Sequence, residues 1–157
     1  MSIEISQATV DPMTVVALTG VVPTYADEYQ LWEKMFPLVS EVPLVGPFAC
    51  GVVEHAEEYV ERNPQLSVFL PVAEGTTVEP PLEVYSFPAR ECLVADIRGP
   101  YSQITSAYEQ LIEYLPANGL VRQADDTLAS KCFTLYYNTP DEVEESELLT
   151  RVCIPLA

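Results

Sequence analysis

Positive charge is scarce in this chain: seven Lys and Arg stand against 24 Asp and Glu, a formal net charge of −17. Binding to nucleic acid replaces phosphate counterions with Lys and Arg, so this balance argues against direct nucleic-acid contact. Histidine is reduced to His55, set in the acidic run EHAEEYVER, and tryptophan to Trp32. One histidine leaves no Ser-His-Asp or Cys-His set for nucleophilic catalysis. No GxGxxG, P-loop or HExxH run occurs. The four cysteines, Cys50, Cys92, Cys132 and Cys153, form no CxxC pair. A metal site and a bound cofactor are therefore not expected, and buried free thiols are. No apolar run approaches the ~20 residues of a membrane span. The first basic residue is Lys34 and Glu4 comes early, unlike a secretion signal. These absences together predict a cytoplasmic protein with no membrane partner.

What is present is the composition of one globular domain: 157 residues, 48% hydrophobic and 20% charged. The negative excess serves solubility and also admits cationic ligands or a basic protein partner. Periodicity predicts a strand over 13–22 and a helix over 24–40, with Thr24 as N-cap and Asp27 and Glu28 in its first turn. The apolar face of that helix is Tyr25, Tyr29, Trp32, Met35, Phe36 and Val39. Strands over 48–54 and 66–72 follow, then a turn-rich midpoint at 73–81. The second half offers an additional strand at 82–87, a strand at 91–99 and a helix over 101–115, stopped by Pro116 and Asn118-Gly119. Strands at 131–138 and 148–156 close the chain. Between them five of the seven residues from 141 to 147 are acidic, as in a solvated turn.

Both halves read strand, helix, strand, strand. At an offset of 76 residues Tyr25 matches Tyr101, Trp32 matches Tyr108, Met35 matches Leu111, Phe36 matches Ile112 and Val39 matches Leu115. The expected fold is α+β: a single domain over 1–157 built from duplicated βαββ units, about 10–72 and 82–156. Pseudo-twofold symmetry would join them into an antiparallel sheet with two main helices and a groove between them. Clefts between repeated units favour small molecules, and Tyr25, Trp32, Tyr101 and Tyr108 would wall this one. The alternative for each aromatic, packing in the core, stays open, and for Tyr85 it is the expected one.

The run RGPYSQITSAYEQLIEYLP, the strand CFTLYYNTP and the terminal ESELLTRVCIPL resemble the second half of GyrI-like proteins, also known as AraC-type effector-binding or multidrug-regulator ligand domains. The first half follows the same layout more loosely. The resemblance implies a stand-alone module that binds hydrophobic or aromatic compounds, and it places Phe133 and Tyr136 near the ligand. It also leaves open a gyrase-modulating or toxin-neutralising protein, or a hydrolase opening cyclopropane rings in alkylating compounds. For hydrolysis the candidate carboxylates are Glu54, Glu109, Glu113 and Glu147. One departure concerns the last strand, where such proteins commonly carry an acid and this chain has Arg151. Arg151 shares a strand face with Cys153. It either faces the groove and favours anionic or carbonyl-bearing ligands, or pairs internally with an acid such as Glu54 or Asp96.

Overall fold

The computed structural model describes residues 2–56 and 58–157. Eight strands form one antiparallel sheet: β1 (Ser2–Val10), β2 (Met13–Val21), β3 (Cys50–Glu54), β4 (Gln65–Pro71), β5 (Glu83–Phe87), β6 (Arg90–Arg98), β7 (Phe133–Tyr136) and β8 (Leu149–Pro155). Helices α1 (Tyr29–Leu38) and α2 (Ile104–Ala117) are each entered through a 3-10 turn, at Tyr25–Glu28 and Tyr101–Gln103. The strand order is β1-β6-β8-β7-β3-β4-β2-β5. Exchanging each first-half strand for its counterpart, β1 with β5 through β4 with β8, reverses that order onto itself. The pseudo-twofold axis therefore passes between β3 and β7.

The expected βαββ units are β2-α1-β3-β4 and β6-α2-β7-β8, and each is preceded by one more strand. These leading strands cross over: β1 pairs with β6 and β5 with β2, so each half closes the sheet edge of the other. The extra strand at 82–87 is β5. The sequence reading passed over β1, whose alternation rests on little more than Ile3 and Ile5.

Local chemistry sets the helix starts. The Thr24 backbone N–H and hydroxyl both donate to Asp27 Oδ2, at 3.0 and 2.8 Å. Before α2, Gly99 has φ +116°, a region that side chains disfavour, and Pro100 then supplies φ −58°. This is how a strand ending at Arg98 turns within two residues into a helix. Pro116 does not stop α2. It sits in the last turn, and the helix ends after Ala117 at Asn118 and Gly119, whose φ is +66°.

Leu31, Met35 and Val39 of the α1 region pack on Val16, Leu18, Leu66 and Val68. Ala107, Leu111 and Leu115 of α2 pack on Leu93, Ala95, Ile97, Val152 and Ile154, with Ile3 and Ile5 of β1 alongside. The other sheet face buries Val15, Phe69, Val94, Phe133, Leu135 and Cys153 beneath Phe48. Each helix thus covers the flanking strands of its own half, and the short central strands β3 and β7 lie between. There the backbones approach closely. A Cβ on Gly51 would stand 2.3 Å from the Phe69 ring and 2.7 Å from the Thr134 carbonyl oxygen.

Candidate functional site

The strip of sheet between the helices is the floor of a groove. Period-two alternation raises Cys50, Val52 and Glu54 from β3 and Thr134 and Tyr136 from β7 onto the helix side. The first half supplies one wall with Tyr25, Glu28, Tyr29, Trp32 and Phe36. The second supplies the other with Tyr101, Ile104 and Thr105. The cavity holds about 690 Å³ and continues into a pocket of about 160 Å³ reaching Tyr59 and Tyr108. At its mouth a depression of about 720 Å³ shares Tyr101 and Pro140 with the groove and carries Asp141, Glu142, Glu144 and Glu145.

The apolar arc of α1 is wider than sheet packing needs. Leu31 and Met35 are fully covered, whereas Tyr29 and Phe36 remain 53% and 57% exposed beside half-buried Trp32. The Trp32 and Phe36 rings stack at 5.6 Å, and Tyr101 meets Tyr136 edge-on at 5.4 Å. Tyr25 stacks on Tyr59 at 5.2 Å, and its hydroxyl oxygen accepts the Val60 N–H at 3.3 Å.

Two carboxyl groups lie among these rings. Glu28 accepts a hydrogen bond from Trp32 Nε1 at 2.8 Å and a longer one from the Tyr136 hydroxyl at 3.4 Å. Burial raises its pKa, and these two donors oppose the rise. The Glu54 carboxyl accepts no hydrogen bond among the described residues. Burial, reinforced by the nearby Glu28 charge and opposed by Arg122, pushes its pKa up to about 7. The Cys50 thiol and the Tyr101 phenol are both pushed up to about 12, chiefly by burial, so neither is an activated nucleophile. The two halves are unequal here, since at the 76-residue offset Ile104 stands where the first half has Glu28. Glu28 and Glu54 both come from the first half.

The fold brings Tyr25, Trp32, Tyr101 and Tyr136 to the larger cavity and Tyr108 to the adjoining pocket. It does not bring Phe133 or Arg151 there. Thr134 and Tyr136 point to the groove, so Phe133 points away from it and is 1% exposed. The buried Arg90 guanidinium lies between the Phe133 and Phe87 rings, 4.1 and 4.7 Å from their centroids. Arg151 faces the same side as Phe133 and holds Asp96 through two bonds, from Nε at 2.7 Å and Nη2 at 3.1 Å. The register places the two residues opposite each other on β6 and β8. The internal pair is thus the arrangement present, with Asp96 and not Glu54. Arg151→Glu is expected to destabilise the protein by roughly 2 kcal/mol, because the partly exposed pair becomes two adjacent carboxylates. Urea denaturation reads this, and an unchanged midpoint would contradict it.

Of the carboxylates singled out from sequence, Glu54 lines the groove. Glu109 and Glu113 are exposed on α2 outside it, and Glu147 pairs with Arg98 at 3.0 Å. Tyr85 stacks on Phe87 at 6.0 Å beside the opposite core. His55 Nε2 lies 2.6 Å from Ser67 Oγ, but Ser67 is completely buried and lines none of the cavities described. Sequence reasoning treated Glu28 only as a favourable first-turn acid. Its spacing of three residues from Tyr25 and four from Trp32 was the available signal, since that places it on their helical face.

All four thiols are free; Cys92, Cys132 and Cys153 are buried and Cys50 half-buried. No helix among the described residues is long and apolar enough to cross a membrane.

A family model described as the GyrI-like small molecule binding domain matches residues 3–157. No curated protein sequence matches the chain significantly. Among solved structures, the EcmrR–DNA complex superposes with a TM-score of 0.85 at 18% identity, over 98% of this chain and 57% of EcmrR. The chain thus spans little more than half of that protein. The isolated EcmrR C-terminal domain gives 0.83 at 18% identity over 100% and 99% of the two chains. A hydrolase encoded by lin2189 of Listeria innocua gives 0.65 at 16% identity, covering 98% and 92%. SAV2435 bound to tetraphenylphosphonium gives 0.63 at 12% identity, covering 98% and 94%. At these identities the likeness shows the fold.

Proposed function

Because the chain belongs to the GyrI-like small-molecule-binding family, we propose that it binds hydrophobic aromatic compounds, cations above all, in the groove between α1 and α2. The observation that carries this reading is the Glu54 carboxyl, set without a hydrogen-bond donor among the described residues, beside Glu28 in two adjoining cavities lined by seven tyrosine and tryptophan rings. A half-buried carboxylate with no hydrogen-bond donor is costly among apolar walls, and a bound cation lowers that cost while the rings contribute stacking and cation–π attraction. Arg151 does not reverse this preference, because its charge is spent on Asp96 across the sheet. The structure of SAV2435 with tetraphenylphosphonium, a hydrophobic cation, supports the same ligand class.

Trp32 is the reporter. Titration with tetraphenylphosphonium is expected to quench or shift its emission saturably. Trp32→Ala, followed by calorimetry, should weaken binding by roughly 1–3 kcal/mol without loss of fold. Emission that never responds to a panel of planar and tetrahedral aromatic cations would count decisively against the groove.

A second reading, hydrolysis of a hydrophobic electrophile, is favoured by the position of Glu54, a carboxyl able to give or take a proton near neutral pH. The likeness to a Listeria hydrolase agrees with it. Turnover of a cyclopropane-bearing electrophile that is lost in Glu54→Gln would establish it over simple binding.

A further inference from the structure

The two groove carboxyls differ in a way that binding alone does not require. Glu28 is tied by Trp32 Nε1 and the Tyr136 hydroxyl, whereas Glu54 lines both connected cavities and is tied to neither. We propose that this groove exchanges a proton for its ligand: entry of an organic cation releases the proton of Glu54 to solvent, while Glu28 stays held by its two hydrogen-bond donors. The inference rests on the ligand-binding reading above and adds its coupling to pH.

The exchange balances simply. The free groove carries Glu54 as a carboxylic acid. The cation arrives, the O–H bond breaks, the proton passes to buffer, and the carboxylate left behind neutralises the ligand without a net change in groove charge. Two carboxylates in one apolar cavity repel each other, so the empty groove keeps one of them protonated. The surroundings leave that role to Glu54. Tyr25, Tyr108 and Tyr136 face it from the first 3-10 turn, α2 and β7, and Cys132 precedes β7. Burial pushes all four groups up, so they hold their protons through neutral pH. Burial is the main cause that lifts the Glu54 pKa to about 7; of the charges that act on it, Glu28 adds to the rise and Arg122 opposes it. Glu58 borders the smaller pocket as well.

Calorimetry with tetraphenylphosphonium at pH 6, repeated in buffers of different ionisation enthalpy, reads the proton directly. Close to one proton should be released per cation bound at pH 6 and almost none at pH 8.5. Affinity should rise about tenfold between pH 6 and pH 8, since only the ionised fraction accepts the cation. The neutral probe triphenylphosphine oxide should show neither effect. In Glu54→Gln the release and the pH dependence should vanish together, whereas Glu28→Gln should keep a proton step. Tetraphenylphosphonium binding with no proton release and a flat pH profile would overturn the exchange and leave the binding reading intact. No binding at any pH would overturn both. Release that survives in Glu54→Gln would assign the proton elsewhere and refute the role of Glu54.

Discussion

Replacing Glu28 and Glu54 together by glutamine is expected to weaken tetraphenylphosphonium binding at least ~100-fold while leaving triphenylphosphine oxide within about threefold. The physical reason is the difference between a charge and a dipole. A glutamine amide can still accept from Trp32 Nε1, so the local geometry at position 28 survives. What disappears is the negative charge beneath the rings, and since the phosphonium donates no hydrogen bond the loss is Coulombic: unit charges about 6 Å apart attract by about 3 kcal/mol at an effective dielectric near 20. A loss of about 3 kcal/mol corresponds to the ~100-fold expected. Parallel titrations of both probes decide the point. Equal weakening of cation and neutral probe would show that the substitutions damaged the groove's shape, and unchanged cation binding would remove the carboxylates from recognition.

The same double variant should also change how stability depends on pH. The folded pKa of Glu54 is raised, to about 7, so the native state holds a proton that the unfolded chain has already released above pH ~4.5. Stability from this group is present below pH ~4.5 and falls as pH rises through 7. Glu28 is shifted in the same direction. Removing both carboxyls should flatten the decline in melting temperature across that window.

The second large effect is on the opposite side of the sheet. Arg90→Ala is expected to cost about 3 kcal/mol, whereas Arg90→Met should stay within about 1 kcal/mol of the parent or exceed it. Arg90 is 6% exposed, has no carboxylate partner among the described residues, and places one hydrogen bond on the Ala129 carbonyl oxygen at 3.1 Å. Its Nε and Nη2 find no acceptor among the described residues. The guanidinium is held instead as a flat, polarisable slab between the Phe87 and Phe133 rings. Truncation to alanine leaves a cavity between two large rings, and such cavities cost several kcal/mol. Methionine refills much of the gap without a charge to desolvate, and buried ionic groups are commonly replaced at little cost by apolar ones of similar volume. Chemical denaturation of the three proteins measures the difference. A methionine variant as unstable as the alanine one would mean that the positive charge itself stabilises this core.

Much of this molecule was legible along the chain. Alternation over 13–22 and 91–99, the Thr24 cap with Asp27, the Gly99-Pro100 turn and the repeated aromatic spacing all report the preferences of a few neighbouring residues. Such preferences act before any distant contact forms. They marked the seven later strands and both helices to within a few residues, and they placed Tyr25, Trp32, Tyr101 and Tyr108 on helix faces that now border the groove. The crossing of β1 and β5 onto opposite halves was not legible, because partner choice at a sheet edge is a contact between residues ~80 positions apart. The faces of β7 and β8 were not legible either. Phe133 and Tyr136 both look suited to a groove, and only the register with β3 sends one upward and the other into the opposite core. Arg151 was limited by sequence to two possible roles, and its place opposite Asp96 on a neighbouring strand selected one. Glu28 and Glu54 illustrate the same division most clearly. The chain determined that both are carboxylates in aromatic company, but burial sets their ionisation, and burial exists only once α1, β3 and β7 enclose a single cavity.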